Sequence, residues 1–379
     1  MKIFLLPLFF SVFLFQGCAT NPVTGKSELQ FVSEQEEISM GSEQYPMQIQ
    51  LSGGPYVIDP DLSQYVNRIG QKLAAVSDRP HLPYEFTIVN DSSWNAWALP
   101  GGKIAINRGL LESLRNESEL AAILGHEIVH SAARHSAQQM ERGLWVQAGL
   151  IGLTLAIDQD YQRSVMETGS TIAGITMLKY SRDAETESDY YGMKYMKKAG
   201  YDPSGAVSLQ QLFADNTDSA GGWLSSHPAS IERVQRNKEA LKDLTSDGYL
   251  GSAEYRSHTR ELQDRAPAYI LYEQGQKALE ENKPKQALLR SLEARKLAPK
   301  EAKFYALSAE AYEKLGNQRA AMQAWDQAIQ LNSEWFYFYL KRAILNEKSG
   351  NRNEAASDFK NSFDLLPTEE AKSGFQRTN

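Results

Sequence analysis

The chain has 379 residues, is 42% hydrophobic, 23% charged and 10% aromatic, and carries a formal net charge of −7. That length allows two or three domains of ~150 residues. The composition excludes wholesale disorder, collagen and a coiled-coil rod, and the acidity argues against a nucleic-acid partner. A mean hydropathy of −0.47 excludes a polytopic membrane protein. One cysteine, Cys18, means no intrachain disulfide and no cysteine-based zinc finger.

Residues 1–17 open with Lys2 and run through an almost purely apolar stretch from Ile3 to Phe15. This is a secretory signal pattern, too short for the ~20 residues of a comfortable membrane span. Gly17 immediately before Cys18 resembles a bacterial lipoprotein signal, which makes Cys18 the expected lipidation site. Ordinary cleavage after Ala19 is the rival. Both readings export the chain. With Ala19 rather than Asp after the cysteine, lipidation implies the periplasmic face of the outer membrane in a Gram-negative bacterium. Residues 18–29 are read as a lipidated cysteine and linker.

Further along, Asn116-Glu117-Ser118-Glu119 reads as a capping box that opens a helix. On that helix lies His126-Glu127-Ile128-Val129-His130. Histidines four apart project from one face, where two neutral nitrogens can bind one Zn²⁺ and the intervening Glu127 can take a proton from water. A third histidine at the metzincin spacing is missing, because Ala133 and Ser136 occupy the required positions and His135 misses by one. Glu185 on a second helix can close the shell instead, and Asp189, four residues on, can accept the free N–H of a ligand histidine. The alternative for 181–192 is an acidic solvated face. Two apolar stretches, Leu144 to Ile157 and Thr171 to Leu178, are too short to cross a bilayer. They are read as a helical cover near the cleft, with shallow membrane contact as the alternative.

The C-terminal third repeats with a period of 34: Asn282, Gly316, Gly350; Ala287, Ala321, Ala355; Pro299, Ser333, Pro367. Gly275, Ala309 and Ala343 add small residues, and Trp325 and Phe359 bulky ones. This resembles the tetratricopeptide repeat (TPR), with three units over 268–367, enough for a continuous core. The aromatic run Trp335–Tyr339 exceeds what one helix face can bury. It marks either a contact surface or core plus packing against the preceding domain.

The HEIVH motif, then Glu185 and Asp189, then His227-Pro228 with Arg233 downstream, resembles the gluzincin family that includes the CAAX prenyl protease and HtpX. The likeness covers about residues 20–240. CATNPVTGK after the signal is similar to the start of exported lipoprotein members of that family, and Ser188 replaces the usual alanine. The resemblance implies one zinc per chain held by His126, His130 and Glu185, with Glu127 as general base and acid and Asp189 behind a ligand. It implies a catalytic or plugging role for His227, and for Arg233 orientation of carboxylates or stabilisation of negative charge. Asn95-Ala96-Trp97-Ala98-Leu99-Pro100-Gly101-Gly102 looks like the segment before the family's active-site strand. The stretch Asn95 to Ile106 is expected to take substrate as an added strand, with Asn95, Ala96, Trp97, Gly101 and Gly102 as contacts.

The expected fold is α+β, mainly α: a zinc-peptidase domain over 30–262, then a TPR α-solenoid. The expected function is a periplasmic zinc endopeptidase that hydrolyses misfolded or misassembled envelope proteins. Its TPR array would bind clients or outer-membrane assembly machinery, and a lipid anchor would tether it to the membrane. The alternative is a TPR chaperone or adaptor with a largely latent peptidase site.

Overall fold

The computed structural model describes residues 18–139, 141, 180–227 and 231–379. The signal segment, the Cys18 side chain, both apolar stretches and Pro228 lie outside the described residues. Among the described residues no helix is long and apolar enough to cross a membrane.

A short antiparallel hairpin, β1 (Cys18–Thr20) with β2 (Ser27–Leu29), precedes two helices, α1 (Glu34–Leu51) and α2 (Pro60–Ala74). Ser33 caps α1 in a reciprocal capping box with Glu36. Asp59 caps α2, whose Leu62, Tyr65, Val66, Ile69 and Leu73 recur at helical spacing and are buried.

Three strands follow: β3 (Glu85–Val89), β4 (Ala96–Leu99) and β5 (Lys103–Asn107), in the order β3-β5-β4. β3 runs parallel to β5 and β4 antiparallel to it. Alternate residues face opposite sides. Val89, Trp97, Leu99 and Ala105 pack with Tyr45 and Ile49 of α1. Ile88, Ala96, Ala98, Ile104 and Ile106 join the main core with α2 and with the helix that carries His126. Covered on both faces, β5 is buried at all five positions. This corrects the expectation that all of Asn95 to Ile106 is open to an incoming strand. β5 is bonded on both sides, so within this stretch only β4 lies at an edge of the sheet.

The remaining helices of this domain are α3 (Arg108–Ser113), α4 (Glu117–Ala132), α5 (Arg182–Lys198), α6 (Ser204–Asp215), α7 (Gly221–Ser226), α8 (Ile231–Leu244) and α9 (Ser252–His258). At the start of α4 the Asn116 side chain accepts from Glu119 N–H, as the sequence predicts. The Glu119 carboxylate, however, takes the Arg115 N–H and guanidinium rather than closing the box on Asn116.

The C-terminal part is a run of antiparallel helix pairs: α10 (Arg260–Glu280) with α11 (Pro284–Leu297), α12 (Ala302–Lys314) with α13 (Gln318–Leu331), and α14 (Phe336–Lys348) with α15 (Arg352–Leu365). A last helix, α16 (Glu369–Thr378), packs on α15. The period of 34 has a local cause. Asn282, Gly316 and Gly350 each take a left-handed φ, +57°, +77° and +81°, at the turn inside a pair. Ala287, Ala321 and Ala355 are fully buried where the paired helices meet.

The array extends beyond 268–367 at both ends, because α10 begins at Arg260 and α16 follows α15. Leu262, Ala268 and Tyr269 of α10, with Phe304 of α12, belong to the same core cluster as the sheet and α4, so no gap in packing separates the two parts. The aromatic run resolves as core plus internal packing. Phe338 is fully buried, and Trp335 donates its Nε1–H to the Gln50 carbonyl at 3.1 Å. Gln50 Oε1 in turn accepts the Phe336 N–H at 2.8 Å.

Candidate metal centre

His126 and His130 stand one turn apart on α4, which is buried along its whole length. α5 crosses it closely. A Cβ on Gly192 would lie 3.1 Å from His126 N, and one on Gly125 would lie 3.2 Å from the Gly192 carbonyl oxygen. Two glycines therefore let the helix backbones approach at the level of the first histidine. Glu185, two turns before Gly192, then reaches the histidine pair. α7 delivers His227 from the opposite side, as the residue that ends that helix.

The side chains converge on one point. His130 Nε2 lies 3.0 Å from His126 Nε2. Glu185 lies 3.7 Å from His126 Nε2 through one oxygen and 3.6 Å from His130 Nε2 through the other. His227 Nδ1 is 3.3 Å from His126 Nε2 and 2.8 Å from Glu185 Oε1. Ligand atoms ~2.0–2.1 Å from one tetrahedral ion are about 3.3 Å apart, so this cluster has the dimensions of a coordination shell. His126, Glu127, His130 and His227 also offer ligand atoms that all lie within 4.8 Å of one another.

Neither oxygen of the fully buried Glu127 has a hydrogen-bond partner. A buried carboxylate without hydrogen bonds beside three imidazoles is costly unless something positive or proton-bearing meets it. Two imidazoles and a carboxylate form a donor set suited to Zn²⁺, so the residues fit such an ion.

Charge and burial act differently on each group. Burial pushes the Glu127 carboxyl up, against the pull of His227 and His126. Burial also drives His130 well below the usual imidazole range. Glu185 is buried too, yet His227, His130 and His126 around it hold its carboxyl well below the usual range. Asp189 is likewise held low against burial by Arg233. His227 is raised despite its burial by Glu185 and Glu127.

Behind the cluster, His126 Nδ1 meets Asp189 Oδ1 at 3.1 Å. Arg233 donates to both Asp189 oxygens, Nε to Oδ2 at 2.8 Å and Nη2 to Oδ1 at 2.7 Å, and its Nη1 lies 2.8 Å from Glu185 Oε2. A guanidinium forked over two carboxylates fixes both. Arg233 thus bridges the two carboxylates behind the donor atoms.

The expected substrate contacts divide. The Asn107 N–H bonds the Asn95 carbonyl, so Asn95, Trp97 and Leu99 turn their backbone groups toward β5. Ala96 and Ala98 turn theirs outward, where Ser136 Oγ meets the Ala98 carbonyl at 3.3 Å. Asn95 borders α7, the helix that ends at His227, and its Oδ1 is buried without a partner. The Trp97 side chain packs on the α1 face, away from α4. Gly101 and Gly102 belong elsewhere. They make the β4–β5 turn at positive φ, and a Cβ would meet Ile38 Cα at 2.8 Å from Gly101 and the Tyr84 ring at 2.8 Å from Gly102. Close packing and positive φ both call for glycine at these two positions.

Three residues of the site escaped prediction. Tyr180 stacks on His130 with ring centroids 3.7 Å apart. Trp223 stacks on His227 at 4.1 Å. His135 sits 2.9 Å from His130. The first two are lone aromatics without a pattern. His135 was visible as a histidine close behind the motif.

Residues 60–241 match the model of Peptidase family M48. That segment contains every residue of the cluster. The chain is similar to the beta-barrel assembly-enhancing protease of Yersinia pestis, 29% identical over 245 residues, covering 62% of this chain and 50% of that protein. It is also similar to the mitochondrial metalloendopeptidase OMA1 of Schizosaccharomyces pombe, 32% identical over 195 residues, covering 49% of this chain and 56% of that one. The beta-barrel assembly-enhancing protease of Escherichia coli is 30% identical over 204 residues, covering 52% of this chain and 41% of that protein. The chain spans about half the length of the curated relatives it matches. Among solved structures, an Arabidopsis OM64 TPR domain is 26% identical and covers 30% of this chain and 96% of its own, with a TM-score of 0.29.

Proposed function

We propose that this protein is a zinc-dependent endopeptidase of the gluzincin type, near the branch that holds HtpX and the CAAX prenyl protease. In this reading it works in the periplasm, is anchored through Cys18, and cleaves unfolded or misassembled outer-membrane proteins. The observation that carries the reading is the convergence of His126, His130 and Glu185 beside a buried Glu127 that has no hydrogen-bond partner. The names of the relatives, beta-barrel assembly-enhancing protease and metalloendopeptidase, support the substrate class.

His126, His130 and Glu185 would hold one zinc, which when bound supplies Lewis acidity toward a peptide carbonyl and lowers the pKa of a water. Glu127 would take a proton from the attacking water and pass it to the leaving amine. Burial raises its carboxyl toward the working pH, as a general base and acid requires. Asp189 accepts the His126 Nδ1–H and so leaves Nε2 free to ligate. Arg233 holds Asp189 and Glu185 in register. β4 offers the outward backbone groups of Ala96 to an extended substrate, a mode that reads backbone more than side chain.

The second reading, an adaptor whose peptidase rests latent, has one specific observation in its favour. His227 already fills the space among Glu127, Glu185 and His126. The helix pairs would then recruit clients or assembly machinery. Cleavage of an unfolded outer-membrane protein by purified full-length chain, abolished in Glu127→Gln, supports the peptidase. Rescue of envelope assembly by full-length Glu127→Gln, in which cleavage is abolished, supports the adaptor. Palmitate labelling lost in Cys18→Ser supports the anchor.

A further inference from the structure

The zinc reading assigns His126 and His130 as ligands, and a ligand imidazole needs its second nitrogen fixed so that the first keeps its lone pair on the metal. Asp189 does this for His126. For His130 no carboxylate stands in that place among the described residues. Its Nδ1 lies instead 2.9 Å from the Nδ1 of His135.

Only one of two facing nitrogens can carry the proton. His130 Nε2 is turned into the donor cluster, 3.0 Å from His126 Nε2 and 3.6 Å from Glu185 Oε1. With Nε2 unprotonated there, neutral His130 carries its hydrogen on Nδ1, and His135 Nδ1 must accept it. His135 then carries its own hydrogen on Nε2, where Glu187 Oε2 stands 3.3 Å away to receive it. Lys26 holds the other Glu187 oxygen at 2.7 Å. The directions agree along the whole chain from Lys26 to His130.

The backbone is bent to make this contact. On an unbroken helix, residues five apart sit on different faces. α4 ends instead at Ala132, and Arg134 takes a left-handed φ of +61° that brings His135 back against His130. Such a conformation is unfavourable for a non-glycine residue and persists only where its surroundings impose it. Here the Arg134 side chain bonds the Glu37 carboxylate and the Val32 carbonyl, while Asn21 Nδ2 donates to the Ala133 carbonyl at 3.0 Å. His135 itself is buried.

We infer that His135 is the positioning residue of His130, accepting its Nδ1–H and so aiming its Nε2 into the donor cluster. The inference rests on the zinc reading. The two ligands are then oriented by different devices: His126 by an Arg-held carboxylate, and His130 by a neutral imidazole relayed to Glu187.

The test is zinc affinity of the full-length chain, measured by competition with a chromogenic chelator, in wild type, His135→Leu and His135→Asn. Asparagine places its side-chain oxygen near the position of Nδ1 and restores the acceptor; leucine does not. Expected is a loss of about 10- to 100-fold for leucine, largely recovered by asparagine. Leucine binding zinc as tightly as wild type overturns the inference, and so does equal loss in both variants, which marks a packing role. Should His135→Leu fail to fold, nitrogen-15 spectra of zinc-loaded wild type decide. Protonated Nδ1 on His130 with protonated Nε2 on His135 supports the inference, and Nδ1 protonation of His135 overturns it. Undiminished zinc in a His126→Ala, His130→Ala double variant instead removes the zinc reading itself, and the inference with it.

Discussion

His227 Nε2 lies 3.5 Å from Glu127 Oε1, inside the donor cluster. The Trp223 ring stacked behind it and Glu185 on its Nδ1 hold it there. In this conformation the group assigned as base faces a protein imidazole in the place where water and a peptide would meet it.

Removing that ring should therefore open the site. His227→Ala is expected to keep its zinc and to cleave an unfolded substrate on the order of tenfold faster, equivalent to ~1.4 kcal/mol of closure removed. Steady-state cleavage with parallel metal analysis checks it. A fall in kcat with zinc retained would assign His227 as a donor to the reaction instead.

Glu127 makes no hydrogen bond that shapes the cluster, so its exchange for the isosteric amide should leave the ligands in place. Glu127→Gln is expected to hold zinc as wild type does and to lose ~10²–10⁴-fold in kcat, the usual scale of general acid–base catalysis. Retained cleavage would remove the assignment.

Arg233 bridges Asp189 and Glu185 through a planar fork that lysine cannot reproduce. Arg233→Lys should weaken zinc binding by about 10- to 100-fold, because the partner of one ligand and another ligand both lose their anchor. Arg233→Met should also lower the melting temperature, since two buried carboxylates are left without their cation, at a cost of ~3–5 kcal/mol. Unchanged zinc affinity in both variants would contradict the orienting role.

Lys303 lies where the helix pairs meet the sheet domain. Its Nζ donates to the Asn90 carbonyl and sits 4.6 Å over the Trp335 ring, with Glu301, Asp91 and Arg108 nearby. Burial lowers its pKa to about 8 despite Glu301 and Asp91. In the unfolded chain it titrates near ~10.4, so between about pH 8 and 10 the unfolded state binds more protons than the folded one. Stability supplied by this group then rises with pH across that window. Urea unfolding at pH 8 and pH 10 should show wild type gaining on Lys303→Met by on the order of 2–3 kcal/mol. A difference independent of pH would contradict the buried, depressed lysine.

Much of this was legible in the sequence because chemistry and period are local. The histidines four apart, Glu185 and Asp189 four apart, and the period of 34 each follow from one helix or one helix pair. What escaped depends on contacts far apart in the chain or on a backbone break. His135 reaches His130 only because Arg134 leaves the helical region. The packing of Gly101 against α1 and of Gly102 against Tyr84 could not be read from the sequence. Lys103 to Ile106 reads as an alternating strand, yet nothing in it says that it lies between two others. Trp335 reads equally well as a surface or an interface until Gln50 is seen to meet it.

The proposed chemistry depends on a zinc site formed by His126, His130 and Glu185. Metal content of purified full-length protein, compared with the His126→Ala, His130→Ala double variant, tests it most directly. Wild type should carry about one zinc per chain, the stoichiometry of a single shell, and the folded double variant essentially none. Equal zinc in both, or a metal-free wild type that still cleaves, would contradict it.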